Sequence, residues 1–200
     1  MLLTRMIQHF SAVKTLPVDV NDVRDFLIAN GVQDEITFVG VVFDPQIMLG
    51  QFKRFRRRTG VYGETLNCAN VYYHAGAEAN WQRFITCKEL VHLANPEEAK
   101  SSSRESIVEL VDKIGLPPGM QDAPNDGWAT NVDRLAEYVA IALLLPLEAR
   151  NILATAIADE SIPITEADVP RIADIPPRYA TIAMREWWPT SVQQLTSMGI

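Results

Sequence analysis

Cysteine is almost missing from this chain of 200 residues: Cys68 and Cys87 are the only two. So few thiols argue against a disulfide scaffold and for a reduced, cytoplasmic compartment. Long apolar runs are missing too. The longest, residues 138–147, is too short to span a bilayer and contains Pro146. Arg5, Gln8 and His9 interrupt the first ten residues, which therefore do not read as a secretory signal. Positive charge is in deficit, with 18 Lys and Arg against 25 Asp and Glu, a net charge of −7 and a pI near 5.0. A chain of that sign is a poor general binder of nucleic acid. No internal repeat is visible. What remains is a 48% hydrophobic composition, enough for the core of one medium domain, with or without a small appendage.

The apolar spacing sets the expected elements. Residues 1–31 read as helical, with capping chemistry at Asp19-Val20-Asn21-Asp22 and a stop at Gly31. Residues 36–43 are β-branched and aromatic and read as a strand ended by Asp44-Pro45. Extended segments are expected at 50–57 and 70–74. From residue 80 to 94 the period changes to that of a helix buried on much of its surface, through Trp81, Phe84, Ile85, Leu90, Val91 and Leu93. A polar break at 95–103, a short helix at 104–114 and a Pro- and Gly-containing loop at 115–129 follow. A strong helix is expected from about 131 to 145, ended or kinked by Pro146. The remainder reads as helical, with short segments at 165–173 and 177–187. The expected class is α+β, with a small antiparallel or mixed sheet packed on helices.

The chemistry concentrates in Arg83-Phe84-Ile85-Thr86-Cys87-Lys88-Glu89-Leu90-Val91-His92. Two histidines at i and i+4 on a helix, with a glutamate after the first, bind zinc and activate a water. Here Glu89 and His92 stand in those roles, but Lys88 takes the place of the first histidine. A protonated lysine has no lone pair for a metal. Taken alone, Glu89 and His92 at i and i+3 on an amphipathic helix also arise by chance.

The flanking residues sharpen the reading. Val71-Tyr72-Tyr73, Arg83-Phe84-Ile85-Thr86 and Glu89-Leu90-Val91-His92 resemble the strand-then-helix core of the ImmA/IrrE group of bacterial and phage zinc metallopeptidases. A second stretch is similar to that family's next helix: Asp133-Arg134-Leu135-Ala136-Glu137-Tyr138-Val139-Ala140, then Leu143-Leu144-Leu145-Pro146. Residues 164–184 resemble its C-terminal helical segment, which looks like a helix-turn-helix. The resemblance implies a zincin-like metallopeptidase domain over residues 1–147, with the motif helix at about 80–94. A C-terminal helical segment, 148–200, would pack on it. It places Asp133 at the acidic zinc-ligand position, with Glu137, one turn further on, as rival. Glu89 would be the general base, and His92 and Asp133 the surviving ligands.

Lys88 is the departure from the family. Its ammonium is expected to take the space of the metal and to pair with Asp133 and Glu89, because a partly buried lysine needs such partners. The implied protein is metal-free, with no cofactor, and acts by binding a protein partner. By resemblance, that partner is a DNA-binding repressor in a phage, mobile-element or stress-response setting, held beside the strand at 70–74. The competing reading is an active Zn²⁺ endopeptidase that cleaves such a repressor. It would need a third ligand, which the sequence leaves unidentified; His74, at a strand end, reads as facing water rather than reaching inward. Cys87 points about 100° away from Lys88 around the helix and reads as a small buried residue.

Lys53, Arg54, Arg56, Arg57 and Arg58 form a second feature, interleaved with Phe52 and Phe55. They could contact phosphates, which gives a third reading, a nucleic-acid-binding regulator. A solvated strand edge is the reading favoured from sequence, so neither nucleic acid nor membrane is the expected partner. Trp187-Trp188-Pro189 reads as apolar packing. With only Arg171, Arg178 and Arg185 as basic residues and Pro176-Pro177 at the turn, the C-terminal helices read as a core cap rather than a DNA reader.

Overall fold

Helix α1 (Leu2–Ser11) forms because Leu3, Met6, Ile7 and Phe10 fall on one face, and all four are buried. Helix α2 (Val20–Ala29) opens where the Asp19 carboxylate accepts the Asn21 N–H at 2.8 Å, and Gly31 closes the turn beyond it at a φ of +106°. The single helical stretch expected over 1–31 is thus two helices. Pro17 has no N–H to give a helix and restricts the residue before it. The computed structural model describes residues 2–42, 44, 49–94, 128–159 and 161–197. The helix expected at 104–114 lies outside the described residues, as do the polar break from 95 and the loop up to 127.

Strands β1 (Glu35–Val41), β2 (Gly50–Arg58) and β3 (Thr65–His74) form a mixed sheet in the order β1-β3-β2. β3 is central, parallel to β1 and antiparallel to β2. It begins five residues before the stretch expected from sequence. Its first half, Thr65-Leu66-Asn67-Cys68-Ala69, is polar and small but finds a partner in Arg54 through Arg58 of β2. Both edges of β3 are therefore occupied. The backbone groups of residues 70–74 bond β1 and β2, so no further strand can add to β3 there.

Helix α3 (Ala79–Ala94) packs across β2 and β3. Gly50 lets β2 come close. A Cβ there would collide with the Ile85 side chain and stand 3.3 Å from Glu89 Cγ. Helix α4 (Trp128–Leu144) lies against α3 and α1. It starts at Trp128, inside the stretch read as loop from sequence. Pro146 ends this run, and α5 (Leu147–Ala158) leaves at 66° to α4. A 3₁₀ turn (Glu166–Asp168), boxed by reciprocal Thr165 and Asp168 hydrogen bonds, leads into α6 (Val169–Ala173). Then come α7 (Pro177–Met184) and α8 (Trp188–Ser197). The segment expected at 177–187 stops at 184, and the fully buried Trp188 opens a further helix.

One apolar core runs from Leu3 and Ile7 through Val71, Phe84, Leu90 and Leu143 to Trp188 and Leu195. The class is α+β. Among the described residues, no single helix is long and apolar enough to cross a membrane.

Candidate functional site

Lys88 and His92 are one helical turn apart on α3, so both side chains leave the same face, with Glu89 beside them. α4 crosses there and delivers Asp133. Lys88 Nζ donates to Asp133 Oδ1 at 2.6 Å and stands 3.5 Å from Glu89 Oε1. His92 Nε2 lies 3.1 Å from the same Asp133 oxygen. The expected Lys88–Asp133 ion pair is present, and His92 shares its acceptor.

Burial is uneven across this cluster. Glu89 is 5% exposed, whereas the Asp133 side chain is 48% exposed, so the cluster opens to solvent on the α4 side. Burial alone would pull the Lys88 ammonium down. The carboxylates of Glu89 and Asp133, with a smaller contribution from Glu137, outweigh it and hold the pKa above that of an ordinary lysine. Burial raises Glu89 above the usual glutamate range, and Lys88 and His92 only partly offset it. Burial also works to raise Asp133. Hydrogen bonds from His92 and Lys88, together with their charge, win and hold it down at about 2. The cluster thus carries a fixed ammonium between a firmly ionised aspartate and a reluctant glutamate.

Glu137 faces elsewhere. It accepts the Tyr179 hydroxyl at 2.8 Å and the Arg178 guanidinium at 3.3 Å. Arg178 lies over the rings of Trp81 (5.0 Å) and Tyr179 (4.3 Å), and Tyr179 stacks on Phe84 at 3.7 Å. Of the two acidic candidates, only Asp133 joins Lys88 and His92, and Glu137 fastens α7 to α4. His74 ends β3. Cys87 is fully buried and its thiol is pushed up to about 12, mainly by burial and partly offset by Arg83.

These donors do not fit a zinc ion. The central position is filled by an amine that donates rather than accepts, and the two remaining ligand candidates are spent on each other and on that amine. Among the described residues, no group of three or more His, Cys, Asp or Glu side chains is placed to hold a metal.

The basic run lies on β2, an edge strand, and every residue from Lys53 to Arg58 is exposed. Arg54 reaches Asp34 at 3.1 Å and the Leu93 carbonyl at 3.0 Å, and Arg57 reaches Glu35 at 2.7 Å.

Two arginines matter more than sequence reasoning allowed. Arg83 donates to the carbonyls of Val18, Ala173 and Asp174, so it ties α3 to the α1–α2 connection and to the end of α6. Arg150 on α5 donates to the carbonyls of Ala183, Met184 and Arg185, which close α7. The only sequence signal for Arg83 is its place in the lead-in to the motif.

No protein-family model matches this chain, and no curated protein matches it either.

Proposed function

We propose that this chain is a degenerate, metal-free relative of the ImmA/IrrE zincin-like peptidases that acts by binding a regulatory protein rather than cleaving it. The observation that carries this reading is Lys88 Nζ, 2.6 Å from Asp133 and 3.5 Å from Glu89. In a zincin, the cation between the motif helix and the acidic ligand is a metal that polarises a carbonyl and a water. Here the cation is an ammonium on the helix itself. It balances the carboxylates but offers no open coordination position, and Glu89 beside it has no activated water to deprotonate.

The coarse arrangement agrees with this reading. An antiparallel edge strand, β2, lies over the motif helix at Gly50 and Glu89, and a second helix brings the acidic residue across. A partner segment that adds as an extra strand would pair along β2, whose outer edge no strand among the described residues covers. The repressor-like identity of the partner, and its phage, mobile-element or stress-response setting, come from the resemblance alone.

Metal analysis of the purified protein tests the proposal, with Lys88→His beside it. The unmodified chain should carry no stoichiometric zinc, and the variant should gain affinity for it. One equivalent of zinc in the unmodified chain would restore the reading of an active endopeptidase, with Glu89 as base and His92 and Asp133 as ligands.

A further inference from the structure

The hydrogen-bond phase of β2 says which of its backbone groups face outward. The His74 N–H donates to the Leu49 carbonyl at 2.9 Å at one end of the β2–β3 pair, and the Thr59 N–H to the Glu64 carbonyl at 3.1 Å at the other. Antiparallel ladders alternate, so Gln51, Lys53, Phe55 and Arg57 spend their N–H and C=O groups on β3. Those of Phe52, Arg54, Arg56 and Arg58 point away from the sheet, where no strand among the described residues covers them. Such a row of alternating donors and acceptors is complementary to another polypeptide backbone. A phosphate chain offers acceptors only and would leave the outward carbonyls unmet.

The side chains set the charge of what fits there. Arg54 is engaged by Asp34 and the Leu93 carbonyl, and Arg57 by Glu35. Lys53, Arg56 and Arg58 are exposed and make no ion pair or hydrogen bond among the described residues, and Glu64, past the end of the strand, makes no ion pair with them. Gly50 faces Ile85 of α3, so alternation puts Arg56 and Arg58 on the α3 face. Lys53 is on the opposite face with Phe55, which is 38% exposed. A second copy of the chain is a poor occupant. β2 laid against β2 would set Arg and Lys opposite Arg, and like charges directly opposite destabilise a sheet.

From this placement we infer that β2 takes an acidic, extended segment of another protein as a fourth strand, with carboxylates opposite Arg58, Arg56 and Lys53 and an apolar side chain opposite Phe55. Antiparallel pairing is the more stable per residue. Counted from the residue opposite Arg58, the segment's acidic positions are then 1, 3 and 6 and its apolar position is 4. This deepens the binding reading above and rests on it for the partner being a protein.

Titration of the ¹⁵N-labelled full chain at low salt tests the inference, with a heptapeptide carrying glutamate at positions 1, 3 and 6, valine at 4 and threonine elsewhere. The amide signals of Phe52, Arg54 and Arg56 should move. The variant K53A/R56A/R58A should bind about 25-fold more weakly, at roughly threefold for each opposite-charge cross-strand pair. R56K/R58K should keep most of the affinity. All three side chains are exposed, so circular dichroism should not change in either variant. Moving the glutamate from position 3 to position 2, opposite the already paired Arg57, should cost about threefold. N-methylation at positions 3 and 5, whose N–H groups would face β2, should abolish binding, and at positions 2 and 4 should leave it. Each of five results would overturn the inference: no movement of those amides, equal binding of an all-threonine peptide, full binding by the alanine variant, indifference to where the methyl groups sit, or tighter binding to a DNA duplex. Slow exchange of the Phe52, Arg54 and Arg56 amides without peptide would overturn it too, since a segment of this chain would then hold the edge. Zinc-dependent cleavage of the peptide would instead sink the binding-only reading and still place the acidic strand on β2. A metal-free chain that ignores the peptide would do the reverse.

Discussion

Removing the Lys88 ammonium should cost the fold far more than removing any surface lysine. Lys88→Ala leaves Glu89, 5% exposed, without its nearest counter-charge, and leaves Asp133 with His92 alone. Breaking a fully buried pair costs about 3–5 kcal/mol. Asp133 is half exposed, so water screens its share. The loss then falls mainly on Glu89, and about 2–3 kcal/mol is the expected total. With a urea slope of about 2 kcal/mol per molar, the midpoint should drop by roughly 1–1.5 M at pH 7. Lys14→Ala, at an exposed position, is the control and should stay within about 0.5 kcal/mol. Two further arms separate charge from packing. Lys88→Met with Glu89→Gln removes both members of the pair and should recover at least half of the loss, because no uncompensated charge is left inside. The deficit of Lys88→Ala alone should shrink between pH 7 and pH 4.5, since a glutamate already raised by burial can take up a proton. A Lys88→Ala loss no larger than that of Lys14→Ala, or one that does not change with pH, would refute the reasoning.

Asp133 gives the acid-side prediction. Its folded pKa, about 2, lies below the usual aspartate value, so its contribution is complete above about pH 4 and is lost as pH falls through 2. Urea midpoints taken from pH 5 to pH 2 should fall less steeply for Asp133→Asn than for the parent. Arg83→Lys should destabilise by about 1.5–3 kcal/mol, because a point charge cannot serve three carbonyls in the geometry of the guanidinium fork. Denaturant titration checks this, and amide exchange should quicken around residues 173–174 if the clamp is what holds them.

Legibility in the sequence followed the range of the interactions. The helical character of α1, α2 and α3 could be read from local apolar spacing, but the break between α1 and α2 could not. Lys88, Glu89, His92 and Asp133 could be read because a helix fixes three of them and the resemblance supplied the fourth. The order β1-β3-β2 could not be read. Strand order is decided by contacts between segments, and nothing in Val71-Tyr72-Tyr73 marks a central strand rather than an edge. The first half of β3 was missed because its residues favour a strand only when the arginine-bearing strand lies alongside. Arg83 could not be read at all, since its acceptors are backbone carbonyls 65 and 90 residues away. Glu137 looked like a candidate ligand until Tyr179, 42 residues on, turned out to bind it.

The bend at Pro146 divides the chain on paper but not in its interior. Trp188 sits within 6 Å of the Tyr138 ring, and α8 rests on α1, so the last helix closes a space that the first helix opens. A fragment stopped after α4 would turn that seam of Leu, Ile and aromatic side chains out to water, and the face holding Asp133 would lose its backing in the same step. α1 and α8 thus back α4, the helix that carries Asp133, and α1 also touches α3, so removing either helix perturbs the surroundings of the site.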